Sequence, residues 1–308
     1  MSDTGKINHE PQQTWPAFRR AFFMKEKYMT NSREIERHLA REANLFAARG
    51  SAGNQDRTRT YIVADFEYGY DWDRHNGYSV AEGADAEEKI RWPFHRVAAA
   101  SWCVMRFKRG SDTPEIQGPV VLSADDHSEK EMVSAFFDAL DQEPGAVLVT
   151  WGGEHKDLAV LRRTAGEFDL IMPHQLRELS PVSDRRIDLC GAVSIRAESV
   201  HLPEYAAACS IPAKPSPSKT IGELVEKGKW GDVEEQVLAD VMTTAIIMLR
   251  HLKSHGLVRC AIPACSLALA NAAANANPDS EFLRRTFKPW AQLKDSTANY
   301  TCPIYRAA

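Results

Sequence analysis

Two acidic residues, Asp65 and Glu67, lie two apart in the apolar run YIVADFEY. Side chains at i and i+2 of a strand share a face, so both carboxylates project together, roughly 7 Å apart along the strand. Charges buried side by side repel each other and lose hydration. A divalent cation that prefers oxygen ligands is the simplest neutraliser. A D-x-E triplet also arises often by chance, and on an edge strand both acids would simply be solvated. Two more acids change the balance. Asp157 follows the run AVLVTW within TWGGEHKDLAVL, at a strand-to-helix junction. Ligand sites of open α/β sheets collect at such junctions. Asp240 lies in VEEQVLADVMTTAIIML, three residues from Val237 and four from Thr244. It therefore borders the apolar stripe of a helix and points inward along the sheet. The plain alternatives are a helix-start charge at Asp157 and a solvated border residue at Asp240.

These acids need elements to position them. Residues 61–68 read as a buried strand, bounded by the turn-prone DWDRHNG. Further strands are expected at 97–107, 120–122 and 146–151, with a short element at 187–189. Helices are expected at 128–140, 156–165 and 202–209. The strongest helical pattern is 233–252, whose apolar face collects Val237, Val241, Thr244, Ala245 and Met248. The order predicts a mixed α/β sheet flanked by helices. Before it come polar residues 1–14, two helical stretches with Phe18, Phe22, Arg19, Arg20, Lys25 and Lys27, and a linker at 49–60. After it comes an alanine-rich helical region. The reading divides the chain into an N-terminal extension (1–60), the α/β domain (61–255) and a C-terminal extension (256–308).

Composition sets the outer limits. The chain has 308 residues, 44% hydrophobic and 26% charged, with a net charge of −4. That excludes a disordered chain and a generally basic nucleic-acid coat, but not a local basic groove. No segment reads as a membrane span or a secretory signal. The six scattered cysteines do not form a disulfide framework, so a reducing cytoplasm is expected.

Taken together, VADFEY, LVTWGGEHKDLAVLRRTA and VEEQVLADVMTTAIIML resemble, in order, the three motifs of the DEDD superfamily of 3′–5′ exonucleases. The nearest likeness is to predicted exonucleases related to the proofreading domain of family-B DNA polymerases. PFHRVAAASWCVMRF, RRIDLCGAVS and LPEYAAACSIPAKP resemble the intervening segments. The resemblance covers residues 61–252. It implies an RNase H-like five-stranded mixed sheet. It also implies that Asp65, Glu67, Asp157 and Asp240 hold two divalent ions, Mg²⁺ or Mn²⁺. The implied activity is two-metal hydrolysis of terminal phosphodiesters of single-stranded nucleic acid, DNA favoured over RNA, releasing nucleoside 5′-monophosphates. Three departures stand out. Gln236 and Glu235 occupy the positions of the family's tyrosine and histidine bases. Gln236 can orient a water but cannot act as a base, whereas Glu235 could. Only one of the two can face the site. Gly152 and Lys156 stand where asparagine and phenylalanine are usual, and Tyr68 where a small hydroxyl residue is usual. The alternative reading is a nucleic-acid-binding protein of the same fold without effective catalysis; a third is an RNase trimming short oligonucleotides.

A single strand needs aromatic platforms and cations. Tyr70, Trp151, His155, Lys156 and Lys214 are the candidates for substrate binding, together with Trp72 and Lys219. Phe66 and Tyr68 alternate away from the acids and read as core. The aromatic and basic N-terminal helices are read as docking onto the core or onto a second copy of the chain. His251, His255, Cys260 and Cys265 do not match a common zinc spacing and read as surface histidines and buried cysteines.

Overall fold

The computed structural model describes residues 58–300 apart from 180–182, 216, 218 and 219, without the side chains of 299 and 300. The helices expected near the N-terminus, and Lys219, lie outside the described residues. Five strands form one sheet in the order β3-β2-β1-β4-β5: β1 (Arg59–Tyr70), β2 (His95–Phe107), β3 (Glu115–Ser123), β4 (Val147–Thr150) and β5 (Arg186–Asp188). β1 runs antiparallel to β2 and parallel to β4, and β4 is parallel to β5. This is the mixed, RNase H-like sheet that the sequence predicts.

The alternation of β1 sorts its side chains between two cores. Ile62, Ala64, Phe66 and Tyr68 face one, built with α2 (Glu129–Gln142) and α3 (Asp157–Glu167). Tyr61 and Val63 face the other, filled by α7 (Trp230–Ser254). Asp65 and Glu67 continue the parity of Tyr61 and Val63 and so share a side with α7. Their strand is central, which removes the edge-strand alternative. Helix α2 starts on a capping box: Ser128 accepts from the Glu131 amide, and Glu131 reaches back to the Ser128 amide.

Two expectations change. The segment DWDRHNG, expected as a turn, forms α1 (Trp72–Glu82). Asp71 is its cap, accepting from the Arg74 amide at 3.1 Å and held by the Arg96 guanidinium at 2.8 Å. The polar letters of that segment are a helix start rather than a break. β3 is also longer than expected, because its exposed face carries polar residues that hide the strand pattern. Smaller helices α4 (Leu189–Ser194), α5 (Leu202–Ala208) and α6 (Ile221–Glu226) line the route to α7. Beyond it, α8 (Ile262–Ala276) and α9 (Lys288–Tyr300) follow. Cys265, Leu269, Phe282, Leu283 and Phe287 pack into the same core as Tyr61, Val63 and α7.

Candidate metal centre

The C-terminal half of β1 brings its acids to the level where α7 crosses. One carboxylate oxygen from each of Asp65, Glu67 and Asp240 lies within 4.8 Å of the others. Glu67 and Asp240 are buried, and Asp65 is half-buried. Burial raises the pKa of all three acids, and at Asp65 the Asp240, Glu67 and Asp157 charges raise it further. Glu67 is pushed up to about 7 against the opposing pull of Lys214.

Lys214, a candidate for substrate binding, enters this cluster. Its ammonium donates to Asp240 Oδ2 at 2.6 Å and lies 3.5 Å from Glu67 Oε1, with the side chain only 6% exposed. Burial works against its charge, but the Asp240 and Glu67 carboxylates outweigh burial and raise its pKa. The segment arrives there because Ile211 is buried and the Thr243 hydroxyl of α7 donates to the Pro212 carbonyl at 2.8 Å. The other Asp240 oxygen, Oδ1, is buried without a partner. A buried unpaired carboxylate oxygen beside two further carboxylates suits a hard divalent cation. The residues present therefore fit a metal ion.

Asp157 opens α3 but is not one of the three clustered acids. Its Oδ1 accepts a hydrogen bond from the Tyr68 hydroxyl at 2.8 Å. Burial raises its pKa to about 6, opposed by the Lys156 charge and this hydrogen bond. The loop that delivers it is tied down by β5. Asp188 accepts from the Gly152 amide at 2.7 Å and the Glu154 amide at 3.3 Å, and the Arg186 guanidinium bonds Glu154 at 2.8 Å. Gly153 is required by close approach: a Cβ there would sit 2.5 Å from Thr150 Oγ1. Sequence reading missed Asp188, an acid that ends β5 and caps the helix that follows it.

On α7 the two neighbouring candidates, Gln236 and Glu235, part company. Gln236 is buried, one turn before Asp240, and neither amide atom has a partner. Glu235 faces elsewhere. Its carboxylate accepts from the Ser280 hydroxyl at 3.0 Å and from the Glu281 and Phe282 amides at 2.8 and 3.0 Å. It caps the segment after α8 and does not act in the acid cluster. Positions one apart on a helix differ by about 100°, which is why only one of the two could face inward.

A cavity of about 270 Å³ opens beside Glu67, lined by Tyr68, Tyr70, His95, Lys156, Ile221 and Gly222 among others. Tyr70 is 41% exposed and its ring lies against Gly222 of α6. It also meets Trp72 edge-on, and the Trp72 indole donates to Glu226 at 3.0 Å. Lys156 lines the cavity with its ammonium 4.4 Å from the centre of the Tyr68 ring. His155 is exposed on the preceding turn and is not among the lining residues. Trp151 is turned away to other partners: it stacks on Tyr205 at 5.0 Å and donates to the Val200 carbonyl. Sequence reading missed His95 and the α6 residues, which no local pattern marks as neighbours of Glu67. Among the described residues, His251 and His255 stack on each other at 4.1 Å, and Cys260 and Cys265 are buried free thiols.

A family of predicted 3′–5′ exonucleases related to the exonuclease domain of PolB matches residues 87–290, a span that includes Asp157 and Asp240 and begins after β1. The chain belongs to this family. No curated protein matches the chain. Among solved structures, the family B DNA polymerase of Pyrobaculum calidifontis superposes with a TM-score of 0.44 at 14% identity, over 78% of this chain and 29% of that one. Exonuclease I of E. coli, solved with a 5cy-dA13 oligonucleotide, gives 0.37 at 15% identity, over 64% of this chain and 40% of that one. The chain thus spans less than half the length of either.

Proposed function

We propose that the protein removes nucleotides from the 3′ end of single-stranded nucleic acid, DNA in preference to RNA, and releases nucleoside 5′-monophosphates. The observation that carries this reading is the convergence of Asp65, Glu67 and Asp240 around the unpartnered Asp240 Oδ1. Asp157, whose charge reaches Asp65, completes a set of acids for two ions, Mg²⁺ or Mn²⁺. When bound, such ions activate a water for attack on the terminal phosphodiester and stabilise the leaving 3′-oxygen. The chain's own groups supply the rest. Tyr70 offers a ring for the terminal base, at the mouth of the cavity beside Glu67. Lys156 offers a cation to the phosphate from the same cavity. Lys214 holds Asp240 Oδ2 and leaves Oδ1 for the ion. The family relation to the PolB exonuclease domain favours DNA over RNA.

Gln236 supports one competing reading, a strand-binding module without hydrolysis, because an amide cannot take the water's proton. Crystals soaked in Mn²⁺ separate the two. Anomalous peaks at Asp65 are the expected result, whereas bound strand with no ion at the acids would favour the module. Competition between DNA and RNA strands of the same sequence tests the substrate preference.

A further inference from the structure

We infer that Tyr68 is a positioning residue of the acid site: its phenol fixes Asp157, and Lys156 fixes the phenol. The inference rests on the exonuclease reading above. Tyr68 sits on the α3 side of β1, opposite to Asp65 and Glu67, and by parity alone it is a core residue. Its ring is buried, yet its hydroxyl crosses to the start of α3 and donates to Asp157 Oδ1 at 2.8 Å. The ring has two close neighbours. The Lys156 ammonium stands 4.4 Å from its centroid and the His95 ring 5.7 Å from it.

Lys156 and Asp157 are consecutive, so one helix start supplies both the cation that clamps the ring and the carboxylate that receives its hydroxyl. β1 breaks register with β2 between Glu67 and Tyr68, at the boundary between the acid and the phenol. Two sequence departures, at Tyr68 and Lys156, thus become one contact. Helix α7 does not provide a substitute, since the Gln236 amide has no partner. Partners that orient metal-binding carboxylates commonly matter by about 10–100-fold in affinity or activity. The phenol takes up only one of the two Asp157 oxygens.

The test is a double-mutant cycle on the full chain. Tyr68→Phe removes one oxygen and keeps the ring under Lys156; Asp157→Asn is the second change. Mn²⁺ binding is read by calorimetry, and single-strand hydrolysis by kcat and KM. Tyr68→Phe is expected to weaken binding of the weaker Mn²⁺ ion and to lower kcat, each by at least about tenfold. KM for the strand should stay within about twofold of wild type. In the Asp157→Asn background, Tyr68→Phe should change neither quantity further, because its effect passes through Asp157. Wild-type kcat and Mn²⁺ binding in Tyr68→Phe would overturn the inference. So would a full loss that persists in the Asp157→Asn background. Unaltered activity in Asp65→Asn would instead contradict the exonuclease reading, so the two failures are distinguishable.

Discussion

Asp240 divides its two oxygens between Lys214 and an open position. Removing the lysine leaves three acids facing one another without the cation bonded to them. Breaking a buried ion pair by deleting one partner costs about 3–5 kcal/mol. Lys214→Met should therefore lose about that much stability in metal-free protein at pH 7.5, measured by urea denaturation. Saturating Mn²⁺ should restore part of the loss, because the ion replaces the missing positive charge. Equal stability of variant and wild type without metal would show that the pair is not what holds the acids together. At this scale the sequence was informative about the acids and uninformative about their partners. Carboxylates inside an apolar strand are anomalous in themselves, so Asp65 and Glu67 announce a site. Lys214 lies in a proline-rich loop whose path is set by Thr243 and Ile211, contacts from distant segments. Tyr68 shows the limit of alternation: parity gives the face of a strand, not the reach of a long side chain's hydroxyl.

At the element scale, α7 performs two tasks on different faces. Asp240 serves the acid site, and Glu235, five residues earlier, receives three hydrogen bonds from the turn that follows α8. Hydrogen bonds to a charged group contribute roughly 1.5–3 kcal/mol. Glu235→Ala should destabilise the fold by about 2–3 kcal/mol while folded protein keeps wild-type kcat. A large loss of kcat at unchanged stability would return Glu235 to the catalytic site. The loop before α3 makes a parallel case. Asp188→Ala frees the Gly152 and Glu154 amides and should reduce kcat by about 10–100-fold, as expected for a residue that supports a metal-site carboxylate. Kinetics indistinguishable from wild type would show that Arg186 and Glu154 suffice to hold the loop. Regular elements with strong periodicity were legible, including β1, β2, α2 and α7. α1 was not, because Asp71 as a helix cap and Asp71 as a turn residue look alike until its arginine partners are in place.

For the whole molecule, the acid cluster links stability to pH and to metal. Glu67, with its pKa near 7, and Asp157, near 6, take up protons more readily in the folded chain than their ordinary values allow. The folded state therefore binds more protons than the unfolded state between about pH 4 and pH 7. Their contribution to the metal-free fold is fully present below about pH 4 and is lost as pH rises through 6 to 7. Metal-free protein should melt at a lower temperature at pH 7.5 than these groups permit at pH 5.5. At a fixed concentration, Mn²⁺ should raise the melting temperature more at pH 7.5, where the acids are ionised; at 100 times its Kd the ion stabilises the fold by about 2.7 kcal/mol. A Mn²⁺ effect of equal size at both pH values would mean that the ion binds elsewhere. The net charge of −4 also gains a local meaning: the acids concentrate beside a cavity with one lining lysine, so strand affinity should depend steeply on salt and on metal.

The central claim, that these acids form the hydrolytic centre of a 3′–5′ exonuclease, meets its most direct test in one assay. A single-stranded DNA labelled at its 3′-terminal nucleotide is incubated with full-length protein and Mn²⁺, and with the Asp65→Asn variant. The account predicts release of the labelled nucleoside 5′-monophosphate by wild type, abolished by chelator and reduced at least about 100-fold in the variant. Release that continues at the wild-type rate in Asp65→Asn, or in excess chelator, would contradict it.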